Sequence, residues 1–311
     1  MPPDQRSEKG WEPMRRDDVE PDTMHTVRAF VDEMPNIPVH VHKLLKIVSD
    51  IDSSTEDIAK IASSDPAMAS KILKAVNSTY YGLSKPTSNL HLAIVLLGFN
   101  EVRKIALQAG LSGMFGEAWS YEGYDTTSLW KHSYLTSVCA EEFGRTIAPK
   151  RAGELLTMGI LHDIGKYSLF RLTVLIKKKG IRPFHTYTPA DDSYLLEKEE
   201  ALFSINHTIV GALLAEKWDL PLPLVSVIEY HHHPSFWHPD AIPEETQKDA
   251  ALIAISDAVV NSVMEHELSV PDPLPEYFEM LGLEPSIDAL ITDDLKTKIE
   301  EAEKFITYIR E

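Results

Sequence analysis

The chain has 311 residues, 43% of them hydrophobic, and 48 acidic against 30 basic side chains give a formal net charge of −18. That is enough apolar material for one large core or two moderate ones, and the acidic balance excludes non-specific attachment to nucleic acid or anionic membrane. One cysteine, Cys139, cannot build an internal disulfide framework; with no run near ~18 uninterrupted apolar residues and no secretory-type N-terminus, the chain reads as soluble and cytoplasmic.

Residues 1–25 are rich in charge and proline and read as a loosely held tail. From about 36 the pattern becomes helical. In "SSTEDIAKIASS" Ser54 offers a helix cap, and Ile58, Ile61 and Ala62 share a face. In "SDPAMASKILKAVNST" Asp65 can cap and Pro66 suits the first helical position, with Met68, Ile72, Leu73 and Val76 on one stripe. "SNLHLAIVLLGFNEVRKIALQAGL" predicts two helices broken near Gly98, with Asn100 capping the second. Residues 26–116 therefore form a helical bundle, in which "NSTYYG" reads as a helix end with a turn.

The glycine- and aromatic-rich stretch 115–130 links this bundle to a second subdomain at 117–266. Helices are expected there at about 126–147, 151–171, 194–217, 221–232 and 247–266. Cys139 falls in an apolar pattern and reads as core. The basic "KKKGIR" at 177–182 reads as a solvated turn, with docking of an anionic ligand as the sharper alternative. Residues 267–311 form a C-terminal extension. It contains a proline-punctuated connection and a last helix at 292–310 with Leu295, Ile299, Ala302, Phe305 and Ile309 on one face. The fold class is all-α, an N-terminal helical bundle packed on a second helical domain.

Seven ionisable residues sit in otherwise apolar helical text: His132, the adjacent pair His162 and Asp163, His207, the pair His231 and His232, and Asp257. Each alone has an ordinary reading as a hydrogen-bonded core residue, a cap or a solvated helix end. Together they place nitrogen and carboxylate ligands from five helices, which is how a helical bundle builds a metal site in its core. Imidazole with carboxylate suits zinc, iron, manganese or nickel. Seven ligands exceed one tetrahedral ion and fit two. Neighbours on a helix point about 100° apart, so each adjacent pair shares one metal or divides between two.

This order of residues resembles the HD superfamily of metal-dependent phosphohydrolases, and its spacing is similar to the HD-GYP phosphodiesterase branch. In that branch Lys166 of "HDIGK" would lie near a substrate phosphate. The flanking blocks resemble the HDOD family more closely: "MPNIPVHVHKLLKIVSD", "SDPAMASKILKAVNSTYYG", "HLAIVLLGFNEV", "LWKHS", "LLTMGILHDIGK", "HTIVGALLAEKWDLP" and "VIEYHHHP", over about 33–260. The resemblance implies a regulatory relative of the HD enzymes in bacterial signal transduction, acting with signalling proteins. Family members often lack the catalytic pair; this chain keeps it, with every other position of the metal set. It departs from the HD-GYP pattern after His233, where "PSFWHPDAIPEE" stands in place of a GYP block.

The resemblance implies a signal-transduction protein with a dinuclear divalent transition-metal site held by the seven residues. One alternative is an active phosphohydrolase or phosphodiesterase on a phosphate-ester or nucleotide ligand, with Asp163 and Lys166 at the reacting phosphate. Another is a metal-free interaction scaffold.

Overall fold

A computed structural model of the chain describes residues 13–39, 41–43, 54–78, 81–115, 120–121, 124–178, 195–232, 243–264 and 275–310. In chain order its helices are α1 (Pro21–Glu33), α2 (Thr55–Ser63), α3 (Pro66–Val76), α4 (Leu90–Leu97), α5 (Phe99–Phe115), α6 (Thr126–Ile147), α7 (Ala152–Leu161) and α8 (Ile164–Lys178). They continue with α9 (Leu195–Phe203), α10 (His207–Lys217), α11 (Leu222–Tyr230), α12 (Glu244–Val263), α13 (Pro275–Leu281), α14 (Ile287–Leu290) and α15 (Asp293–Arg310). The fold is all-α; the one pairing of extended backbone among the described residues joins Ser120 to Asp125 and Tyr121 to Tyr124. No described helix is long and apolar enough to cross a membrane.

The described residues fall into two compact units, one drawn from Met1–Met34 and His162–Pro285, the other from Pro35–Leu161 and Ser286–Glu311. These units cut across the expected division at 25, 116 and 266. Residues 126–161 group with the N-terminal helices because α6 packs on α7, α5 meets α7, and α15 lies against α6 and α3. The part of 1–25 that is described groups with the unit of the expected ligands, and α1 packs on α10.

In the second unit the local signals act as written. Ser54 Oγ accepts from Asp57 N, and Asp57 Oδ2 accepts from Ser54 N, each at 3.2 Å, which closes a reciprocal cap on α2. Asp65 Oδ1 accepts from Met68 N at 3.0 Å ahead of α3. Ile58, Ile61, Ala62, Met68, Ile72 and Val76 are buried, as is Cys139. Gly98 ends α4 with φ +80°, a conformation that glycine adopts without strain. Asn100 is not the cap of the next helix. That helix begins at Phe99, and the Asn100 amide donates to Glu141 Oε1 at 2.7 Å.

Two expected helices are each broken in two. The run 151–171 stops at Leu161 and restarts at Ile164. The run 194–217 is interrupted after Phe203 by Ser204, whose φ is +55°. The first interruption falls at the expected ligands His162 and Asp163, and the second ends directly before the expected ligand His207. Lys179 to Arg182 of the basic patch and the side chains of Lys177 and Lys178, Thr79 and Tyr80 of "NSTYYG", residues 233–242 in place of a GYP block, the Ile309 side chain, and 271–274 of the proline-punctuated connection lie outside the described residues.

Candidate metal centre

The breaks carry the chemistry. His162 and Asp163 occupy the turn between α7 and α8, not the interior of one helix; Asp163 O accepts from Lys166 N at 2.9 Å to open α8. His207 is the first residue of α10, with Asn206 as its cap: Asn206 Oδ1 accepts from Ile209 N at 3.2 Å. His231 and His232 follow α11, and His231 N donates to Val227 O at 3.1 Å as that helix ends. Of these six, only Asp257 lies in the interior of a helix, α12. Residues at helix ends are released from the 100° spacing of helical neighbours, so adjacent side chains reach a common point.

That point is Asp163. His207 Nε2 lies 3.4 Å and His231 Nε2 3.6 Å from Asp163 Oδ1. His162 Nε2 lies 3.3 Å from Asp163 Oδ2 and 3.8 Å from Asp257 Oδ1. His232 Nε2 is 4.0 Å from Asp257 Oδ2. Asp163, His207, His231 and His232 each offer a ligand atom within 4.8 Å of the others. All but His232 are buried, and His232 is partly so. The elements meet this closely because of Gly165: a Cβ there would stand 1.8 Å from His207 O and 2.7 Å from Gly211 N.

His132, the seventh expected ligand, belongs to the second unit. It is buried on α6, its Nε2 3.5 Å from Thr136 Oγ1.

Three residues that the sequence did not signal contact the candidate ligands. Glu199 Oε2 accepts from His207 N and lies 2.7 Å from His207 Nδ1. A proton assigned to Nδ1 satisfies that contact and leaves Nε2 as a bare lone pair. His231 Nδ1 stands 3.0 Å from Ile228 O and carries its proton for the same reason. Neither Nε2 makes a hydrogen bond, yet both are buried and face one carboxylate oxygen. Two lone pairs converging on an oxygen repel each other unless a cation sits among them, so this donor set fits a divalent transition metal. Asn261 Nδ2 donates to Asp257 Oδ1 at 3.2 Å and fixes that carboxylate.

Burial opposes charge on every group here. Asp163 nevertheless stays far below the usual carboxyl range, because His162 and then Lys166 outweigh its burial. Against the same burial, Asp163 and then Asp257 push His162 up to about 10, and Glu199 raises His207. His231 is pushed down to about 4 by burial, and His232 is lowered for the same reason. The centre therefore presents an ionised carboxylate beside His231 and His232, for which burial favours the neutral, metal-binding form, whereas the neighbouring carboxylates favour a proton on His162 and His207 that a bound metal would displace. Lys166 Nζ lies 2.6 Å from Asp163 Oδ2.

Comparison with known proteins agrees with this architecture. The family model of the HDOD domain matches residues 34–234. A candidate signal transduction protein from Marinobacter aquaeolei VT8 superposes with a TM-score of 0.71 at 17% identity, over 93% of this chain and 65% of that one. An HDOD domain protein of unknown function from Geobacter sulfurreducens gives 0.59 at 20% identity, over 92% and 97%. A candidate metal-dependent phosphohydrolase from Shewanella amazonensis SB2B gives 0.58 at 17%, over 91% and 97%. At these identities the likenesses show the fold. An uncharacterised Treponema pallidum protein is 23% identical over 239 residues, 74% of this chain; the chain spans 42% of that relative's length.

Proposed function

The chain belongs to the HDOD-domain family, and on that premise we propose that it is a signal-transduction protein whose buried His/Asp centre holds divalent transition-metal ions. The observation that carries this reading is the convergence of His207 Nε2 and His231 Nε2, each without a hydrogen bond, on Asp163 Oδ1.

The two oxygens of Asp163 face different partners. Oδ1 meets His207 and His231, and Oδ2 meets His162. Asp257 repeats the division between His162 and His232. Asp163 and Asp257 would between them hold two ions with these histidines, and iron, manganese, nickel and zinc all suit the donors. Glu199 and Asn261 hold the ligands in register for them.

A second reading, metal-dependent phosphohydrolase, is favoured by Lys166. Its side chain is 14% exposed and its Nζ abuts the carboxylate shared by the histidines. Divalent ions at such a centre supply Lewis-acid stabilisation of a phosphate ester's charge. Lys166 is placed to neutralise phosphate oxygens beside Asp163.

Thermal denaturation of the chelator-treated protein tests the proposal. Added manganese, iron, nickel or zinc raises Tm for at least one ion in the native chain and does not in Asp163→Asn. No shift with any of the four, under anaerobic conditions for iron, contradicts it. Hydrolysis of a model phosphodiester by the loaded protein, lost in Lys166→Ala with metal retained, separates the second reading from the first.

A further inference from the structure

We infer that the segment Met14–Met34 positions the histidine ligands, so that its docking and metal binding are coupled; the inference rests on the metal reading above. Three contacts carry it, each between this segment and an element that bears a ligand or the residue orienting one.

Met14 N donates to Glu200 Oε1 at 2.6 Å, and Met14 O accepts from Asn206 Nδ2 at 3.3 Å. Asn206 Nδ2 also donates to Glu200 Oε1 at 2.8 Å. This triangle fixes the residue directly before His207 and the residue directly after Glu199, the carboxylate that orients His207. Asn206 is at the same time the cap of α10.

Arg16 then bridges two helices. Nη1 donates to Glu216 Oε1 of α10 at 2.5 Å, and Nη2 to Glu229 Oε2 of α11 at 2.7 Å. Glu229 is buried and stands two residues before His231. The guanidinium fork therefore ties the helix that begins with His207 to the helix that ends at His231 and His232.

The third contact holds the far end of α10. Lys217 Nζ donates to Val31 O at 2.9 Å, to Asp32 O at 2.7 Å and to Met34 O, satisfying the last carbonyls of α1. Val27, Val31 and Met34 are buried. Residues 14–34 thus grip α10 at both ends and clamp it to α11. Metal ligands must be held to within about 0.5 Å of their productive geometry. Releasing this strap frees both histidine-bearing ends to separate. Coupling of this kind is reciprocal, so bound metal holds the strap down as firmly as the strap holds the ligands.

The test uses the full chain with zinc as the probe. Zinc affinity is measured by competition with a chromogenic chelator for the native protein, Arg16→Ala and Arg16→Lys. Trypsin cleavage within 14–34 is timed for the native protein with and without zinc. The expected results are about 10-fold weaker binding in Arg16→Ala, a smaller loss in Arg16→Lys, and slower cleavage of the strap in zinc. Equal affinity in the native and Arg16→Ala proteins overturns the inference alone, as does a cleavage rate that zinc leaves unchanged. A native chain that binds no zinc, manganese, iron or nickel overturns the metal reading and this inference with it. If Arg16→Ala fails to fold by circular dichroism, the cleavage comparison on the native chain decides.

Discussion

Lys166 Nζ lies 2.6 Å from Asp163 Oδ2, one helical turn further along the chain. Asp163 is fully buried and ionised, and Lys166 is the ammonium that answers it. Removing one partner of a buried pair costs about 3 kcal/mol, because the other charge is left uncompensated. In Lys166→Ala the ring of His162 still answers Asp163, so the chelator-treated protein is expected to lose only part of that amount, about 1–2 kcal/mol, in urea denaturation. Added metal is expected to restore most of the loss, since a cation then answers Asp163 directly.

Glu199 sets the tautomer of His207 through the 2.7 Å contact to Nδ1. Residues that orient a metal-binding histidine affect affinity by about 10- to 100-fold. Glu199→Ala is expected to weaken metal binding within that range while the far-ultraviolet circular dichroism keeps its helical form. An unchanged dissociation constant would show that Nε2 of His207 is not a ligand.

How much of this was legible in the sequence depends on the residue. His162, Asp163, His207, His231, His232 and Asp257 stood out as charged or ionisable groups in apolar text, and one unit brings these six together. The helix breaks that aim them were not legible. Leu161–His162–Asp163–Ile164 keeps the periodicity of an uninterrupted helix, and Ser204 carries no glycine signal for its positive φ. Glu199 was invisible for the same reason: eight residues before His207 along an expected helix, it reads as a solvated carboxylate. It reaches the ring only because the chain turns between α9 and α10. Asn100 was misread because a side chain that can cap a helix is equally able to bond a distant carboxylate, here Glu141. The contacts of Arg16 were not legible, because charge and proline mark loose tails by composition and Arg16 gains its partners Glu216 and Glu229 only in three dimensions.

Gly165 permits the approach of α8 to α10. A methyl group there would stand 1.8 Å from His207 O, a backbone atom that cannot rotate away. Overpacking of this kind costs about 3 kcal/mol or more. Gly165→Ala is expected to lower the urea midpoint by a matching amount and to weaken metal binding together with it, because His207 must shift.

Glu141 gives the second unit a pH dependence of its own. Burial alone would raise its carboxyl, but Lys104, then Arg145 and Asn100, hold it below the ordinary glutamate value. A depressed folded-state value contributes stability that is present above the unfolded value of about 4.3 and is lost as pH falls through the folded one. The native protein is therefore expected to lose stability below about pH 4.3, and Glu141→Gln to show a flatter fall over that range. The urea midpoint at pH 7 and at progressively lower pH measures both.

The most direct test of the central claim is metal content by elemental analysis of the purified chain, compared with Asp163→Ala and corrected for protein concentration. The account predicts about two transition-metal ions per native chain, as expected for a carboxylate shared between two ligand sets, and their loss in the variant. A native chain without metal after anaerobic reconstitution with iron or manganese, or a variant that retains the native content, would contradict it.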